Sequence, residues 1–357
     1  MTTLAIPSTQ VKRKTIWVTP KTGFNDSLGR LFNQSDQCSG YELVKEDRWD
    51  DVSIIWKPIT PGPNYAKLPR LEFLSTLFTS HQTLTEKLSL LTTGLKAFER
   101  TPKEGWSSFF EIQPYSQSSS SSQIQIPQPY LRKYPGFGSA NWITKPTGSW
   151  GGSGIKIFTT PTEALKSLNH KRDPRIVQKY LEHPLLFKGR KFDIRMHVLL
   201  TPDRVLFHRD GFMRVCPKQY TAPTGADVQH DGIHLTNLLQ NDTEGEIHLF
   251  SDLDVDRQTI YKFLQTMAPL FRHAQEVERK YHLDNGIMFR TFELLGIDII
   301  FDQDRKPWLL EVNKDPATPP EGAVEELMVN LMKDTLKEAI FFELDPSLRE
   351  PTGFTLL

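Results

Sequence analysis

Cysteine is almost absent: Cys38 and Cys216 are the only two in 357 residues. That excludes a disulfide framework and a thiolate zinc centre, and it points to a reducing compartment. Neither charge is in excess, with 43 Lys plus Arg against 43 Asp plus Glu. A globally basic nucleic-acid binder is therefore not expected. No apolar run approaches the length of a membrane span, and MTTLAIPSTQVKRK lacks the apolar core of a signal peptide. The expected partners include neither nucleic acid nor membrane. HExxH, GxSxG and GK[ST] patterns are missing too. Zinc hydrolysis, a serine nucleophile and a Walker A loop have no carrier.

What is present concentrates near FELLGIDIIFDQDRKPWLLEVNKDPA, residues 292–317. It reads as two strands joined by the polar turn DQDRK. Glu311 and Asn313 lie two apart and share a strand face, while Asp298 is the one charge inside an apolar run. Three oxygen donors on an otherwise apolar hairpin suit Mg²⁺, with its remaining positions left to phosphate and water. A solvent-facing strand edge would carry the same acids, so the hairpin alone does not decide.

Two other segments carry chemistry. PTGSWGGSG, residues 146–154, holds four glycines, among them Gly152 and Gly154, between strand-like segments. It can bring backbone N–H groups close to an anion, with Lys145 beside it as a point charge, although a glycine-rich hairpin turn fits as well. In 192–200, Phe192, Ile194, Met196, Val198 and Leu200 alternate with Asp193, Arg195 and His197, with Lys191 in line. A mixed charged stripe on a central strand is costly unless it faces a polar cleft, or unless that face is simply exposed.

The periodicities predict an α/β (α+β) chain. Strands are expected at 15–18, 52–56, 142–145, 155–158, 176–180, 192–200 and 205–208. Helices are expected at 27–32, 75–98, 256–281 and 321–342. Residues 216–232 read as a polar loop, and the Ser-rich stretch 113–129 as a disordered one.

Taken together, WITKP (142–146), GSGI (152–155), VQKYLEHPLL (177–186), GRKFDIR (189–195), DGFMR (210–214), HLTN (234–237), FELLGIDII (292–300) and WLLEVN (308–313) resemble the tubulin–tyrosine ligase family of the ATP-grasp superfamily. The resemblance implies an ATP-grasp fold with a small N-terminal α/β lobe (1–75), a central lobe (76–182) and a C-terminal lobe (183–357). It implies an ATP-dependent carboxylate–amine ligase. Such an enzyme uses ATP and Mg²⁺ to join a free amino acid to a carboxylate of tubulin through an acyl phosphate. The corresponding location is cytoplasmic and cytoskeleton-associated.

Roles follow by position. Lys145 and Lys179 would meet nucleotide phosphates or adenine. Gln178, Lys179, Tyr180 and Leu181 would line the adenine slot. Lys191 and Asp193 would hold ribose or triphosphate. Arg195 and Arg214 would face the transferred phosphoryl group, with Thr236 and Asn237 at the phosphate and acceptor side. Asp298, Glu311 and Asn313 would ligate Mg²⁺. Two alternatives stay open: an inactive relative that binds tubulin or another protein, and a ligase with a non-tubulin acceptor.

Overall fold

In a computed structural model, the described residues are 14–18, 41–44, 52–56, 65–87, 89–90, 112–113, 141–147, 149, 151–167, 175–223, 232–236, 245–314, 316 and 324–357. They form a mixed α/β structure rich in sheet and poor in helix. The expected helix at 27–32 and nearly all of the Ser-rich stretch lie outside the described residues, as do Gly148 and Asn237.

The strands are β1 (Lys14–Val18), β2 (Tyr41–Val44), β3 (Ile54–Trp56), β4 (Phe73–Leu74), β5 (Ile112–Gln113), β6 (Trp142–Pro146), β7 (Lys156–Phe158), β8 (Arg175–Lys179), β9 (Leu186–Phe187), β10 (Arg190–Leu200), β11 (Val205–His208), β12 (Phe212–Gln219), β13 (Glu246–Leu249), β14 (Arg290–Thr291), β15 (Glu293–Phe301), β16 (Pro307–Lys314) and β17 (Phe354–Leu356). They make three sheets. A parallel sheet has the order β14-β4-β3-β1-β2, so the N-terminal strands take in a strand from residue 290 onward. A small sheet, β5-β8-β6-β7, is antiparallel. The third is antiparallel and centred on β10, which pairs with β11 and β12 on one edge and with β15 and β9 on the other.

Alternation along β10 decides the packing. Phe192, Ile194, Met196, Val198 and Leu200 enter one core with Ile260, Phe263, Leu264, Met267, Leu270 and Phe271 of the helix Arg257–Asn285. These are the apolar positions that the helical period marks in the sequence. The Asp256 carboxylate caps the helix start by accepting from Gln258 N–H at 3.0 Å, and Gly286 ends it in the left-handed conformation. The opposite face of the sheet packs Leu199, Leu206, Phe212 and Leu294 against Met328, Leu331 and Met332 of the helix Glu325–Leu336. Ile16, Ile54 and Trp56 of the N-terminal sheet join that second core.

Two expectations need correction. Residues 216–219 are not loop: β12 continues through Gln219, whose partner is Arg190 across an irregular register, and Cys216 is fully buried there. The helix expected over 75–98 is not continuous in its described part. Residues 75–79 are non-helical; helix begins only at Ser80, runs as a π-type turn over His81–Thr85, breaks at Glu86 and resumes at Lys87 and residues 89–90. Carboxylates from distant elements have captured the backbone donors. Glu278 accepts from the N–H groups of Phe78 and Thr79, both at 2.9 Å, and Glu293 accepts from Leu77 N–H at 3.4 Å.

Candidate functional site

The site grows from strand register. On the polar face of β10, Asp193 stands opposite Arg214 of β12, and Arg195 opposite Asp298 of β15. Asp298 in turn stands opposite Glu311 of β16, where a register shift follows and a bulge sets both Leu310 and Glu311 into one cavity wall. Three hydrogen-bonded strand pairs thus bring together facing charges that are 13 to 103 residues apart in the chain.

Asp193, Arg195, Arg214 and Asp298 are buried and mutually satisfied. The Arg214 guanidinium donates to Asp193 at 2.7 and 2.6 Å and to Asp298 Oδ2 at 2.7 Å. Arg195 donates through Nε to Asp298 Oδ1 and through Nη2 to Oδ2. Thr236 donates to Asp193 at 2.5 Å. Burial alone would raise the Asp298 carboxyl, but the Arg195 and Arg214 charges outweigh it, and its pKa lies well below the usual carboxylate range. Burial likewise opposes the charge of Arg214, yet Asp193 and Asp298 raise its pKa above the ordinary arginine value. Two carboxylates and two guanidiniums cancel, which lets so much charge sit inside a sheet.

Above this floor opens a cavity of about 400 Å³. Lys145 of β6 enters its wall, and burial, partly opposed by Glu311, lowers its pKa to about 8. Gly151 and Gly152 line the cavity, and together with Gly154 they have φ values of 66°, 82° and 70°, which side-chain-bearing residues avoid. The Arg175 guanidinium fixes the loop's end by donating to the Gly154 carbonyl. Aliphatic wall comes from Ile143 and Ile155 on one side and Ile300 and Leu310 on the other. These belong to two small clusters, one holding Tyr180 and the other Leu181, so the Tyr180–Leu181 connector joins them.

Of the residues singled out in the sequence, Lys145, Gly152, Lys191, Asp193, Arg214, Thr236, Asp298, Glu311 and Asn313 all lie in the cavity wall. Gly154, Gln178, Tyr180 and Leu181 are not among the lining residues. The Lys179 side chain departs from expectation. It pairs with Trp142 and places its ammonium 4.8 Å from that ring, on the face away from Lys145. Arg195 departs too: it is buried behind Asp298 and holds that carboxylate instead of facing the cavity. Asn237 lies outside the described residues.

The proposed metal donors converge. Asn313 Nδ2 donates to Asp298 Oδ2 at 3.1 Å and to Glu311 Oε1 at 3.2 Å, and Lys87 Nζ stands 4.0 Å from Glu311 Oε2. Amide hydrogens and an ammonium cluster on these oxygens. Among the described residues no cage of three or more His, Cys, Asp or Glu exists. Mg²⁺ does not need one: it is commonly held by one or two carboxylates with phosphate and water, and this donor set fits that pattern.

Two contributors were not identified from the sequence. Lys87 also donates to the Ser149 carbonyl at 3.0 Å, tying the glycine loop to the acidic strand. Within the LTEKLSLL pattern it reads as one more polar helical position. Gly296 lies under Arg195, where a Cβ would stand 2.9 Å from Arg195 Cδ and 2.8 Å from Pro316 Cβ. A single glycine inside an apolar strand is the available signal for such a close approach.

Fold and site together define a mixed α/β protein with a charged, small-molecule-sized cavity between two antiparallel sheets. The tubulin-tyrosine ligase family model matches residues 75–350, and the chain belongs to that family. Similar proteins include a probable tubulin polyglutamylase, ttll-9, of Caenorhabditis elegans, 31% identical over 253 residues (64% of this chain, 58% of the relative). Tubulin polyglutamylase ttll6 of Danio rerio is 30% identical over 223 residues (55% and 28%), and tubulin glycylase 3B of Tetrahymena thermophila is 25% identical over 245 residues (64% and 20%). The chain thus spans 58% of the length of the Caenorhabditis elegans relative, 28% of that from Danio rerio and 20% of that from Tetrahymena thermophila.

Proposed function

We propose that the chain is an ATP-grasp ligase that joins an amino acid to a carboxylate of tubulin, using ATP and Mg²⁺ through an acyl phosphate. In this reading residues 1–75, 76–182 and 183–357 form N-terminal, central and C-terminal lobes. The observation that carries it is the neutral Asp193–Arg214–Asp298–Arg195 cluster flooring a cavity that also presents Lys145, Lys191 and Glu311. Phosphoryl transfer asks a protein for positioning and for neutralised charge, and these side chains supply both. Tubulin enters because the named relatives are tubulin polyglutamylases and a tubulin glycylase.

The roles follow from position. Lys145 and Lys191 hold phosphate oxygens. At neutral pH Lys145 is still charged, since its pKa is lowered only to about 8. The aliphatic walls beside Tyr180 and Leu181 take the base. Arg214, in the wall and aimed by Asp193, stabilises charge on the group in transfer, while Arg195 acts behind it by fixing Asp298. Glu311, Asn313 and Asp298 would hold Mg²⁺, which supplies charge neutralisation at the phosphates. A cytoplasmic, cytoskeleton-associated location goes with this activity, and no helix among the described residues is long and apolar enough to cross a membrane. The test is ATP consumption by the purified chain with and without tubulin and amino acid. Consumption that requires both supports the ligase; nucleotide binding without any consumption supports the inactive-relative reading.

A further inference from the structure

We infer that the Tyr180 hydroxyl and His234 form a buried bracket that aims the Lys191 ammonium into the cavity, which makes both residues positioning residues for nucleotide binding. The inference rests on the nucleotide reading above.

Lys191 and His234 both line the cavity, and Lys191, Tyr180 and His234 are all buried. Lys191 Nζ donates to the Tyr180 hydroxyl at 2.9 Å and to the His234 main-chain carbonyl at 2.8 Å. The same ammonium lies 4.5 Å from the Tyr180 ring centroid. The Tyr180 oxygen is also 2.9 Å from His234 Nδ1. An ammonium only donates, so the phenol oxygen accepts from it, and its own proton is left for a neighbouring acceptor; in the tautomer that leaves His234 Nδ1 unprotonated, that acceptor is the imidazole. One residue therefore serves Lys191 twice, directly through the His234 carbonyl and indirectly through its ring. Tyr220 packs edge-on against His234 at 5.8 Å and is itself held by donating to the Glu182 carbonyl at 2.7 Å.

A lysine side chain has four rotatable bonds and a strongly hydrated head. Fixing that head in a buried wall before the ligand arrives removes ordering that binding would otherwise have to supply. Tyr180 does this from the connector between the sheets, and His234 from beside it in the cavity wall. Neither side chain needs to touch the nucleotide.

The test is titration of the intact chain with a fluorescent ATP analogue and Mg²⁺. Tyr180→Phe keeps the ring and removes the hydroxyl, and it should weaken binding about three- to tenfold, the range of one net hydrogen bond. In a Lys191→Ala background the same change should add nothing. His234→Asn and His234→Leu are matched in shape, but only Asn can accept the Tyr180 proton. Asn should bind within about twofold of the parent and Leu should follow Tyr180→Phe. Melting temperatures are measured in parallel, and the Asn/Leu pair keeps the test intact if Tyr180→Phe folds poorly. Equal affinities for the Asn and Leu variants, or Tyr180→Phe and Lys191→Ala effects that simply multiply, would overturn the bracket. A parent chain that binds no nucleotide would instead overturn the reading on which it rests.

Discussion

Replacing Asp298 by Asn changes one atom and unbalances the charges on which the site is built. With Asp193, Asp298, Arg195 and Arg214 the cluster sums to zero; Asp298→Asn leaves it at plus one. Arg195 then loses the carboxylate that takes both of its bonds, and it is only 5% exposed, so water cannot replace that partner. Removing one member of a buried ion pair typically costs about 3–5 kcal/mol, and that loss is expected in urea denaturation followed by tryptophan fluorescence. Adding Arg195→Met restores neutrality and puts an apolar chain in the vacated space. The double variant should therefore be less destabilised than the two single losses predict, by about 1–3 kcal/mol of coupling. Ligation should stay lost in both, because neither retains the Asp298 carboxylate. If Asp298→Asn cost under about 1 kcal/mol, or if the two changes added independently, the cluster would not be the mutually stabilised unit described here.

Three further outcomes follow from the same geometry. Gly296→Ala should destabilise by about 1–3 kcal/mol through its clash with Arg195 and Pro316, and should depress activity even where the fold survives; a wild-type enzyme in this variant contradicts the close approach. Glu311→Gln should cut ligation by about 10²–10³ with the melting temperature nearly kept, since its side chain is only partly buried, and normal turnover would remove it from the proposed metal site. Glu278 is buried, which would raise its carboxyl, but His282 and the N–H groups of Phe78 and Thr79 overcome this and lower its pKa. Its contribution is thus present above the unfolded carboxylate value and lost as pH falls through the folded one. Glu278→Gln should be less stable at neutral pH by about 1–3 kcal/mol, with a flatter acid limb in a plot of melting temperature against pH; parallel curves would rule out the clamp.

Much of this site is legible in the sequence because strand periodicity is local. The period-two alternation of 192–200 places Asp193 and Arg195 on one face, and the hairpin pattern of 293–314 brings Asp298 opposite Glu311. The segment 75–79 is not legible, because acceptors about 200 residues away take its backbone donors and defeat a leucine spacing that looks helical. The continuation of β12 through Cys216–Gln219 is hidden for a related reason: its polar residues look like loop, and distant partners, Arg190 beside Gln219 and the Gly232 carbonyl on Lys218 N–H, keep them extended. Side-chain direction is a further limit. The sequence offers Lys179 and Arg195 as cations near a phosphate, but strand register turns one toward Trp142 and seats the other behind Asp298.

The most direct measurement is incorporation of radiolabelled tyrosine, glutamate or glycine into tubulin by the purified chain with ATP and Mg²⁺. The ligase account predicts ATP-dependent incorporation of at least one of the three. It further predicts that Arg214→Ala nearly abolishes incorporation while ATP affinity stays within a few-fold, as for a contact made mainly in the transition state. Incorporation of none of the three by the unmodified chain, with tubulin bound equally well with and without Arg214, would contradict it.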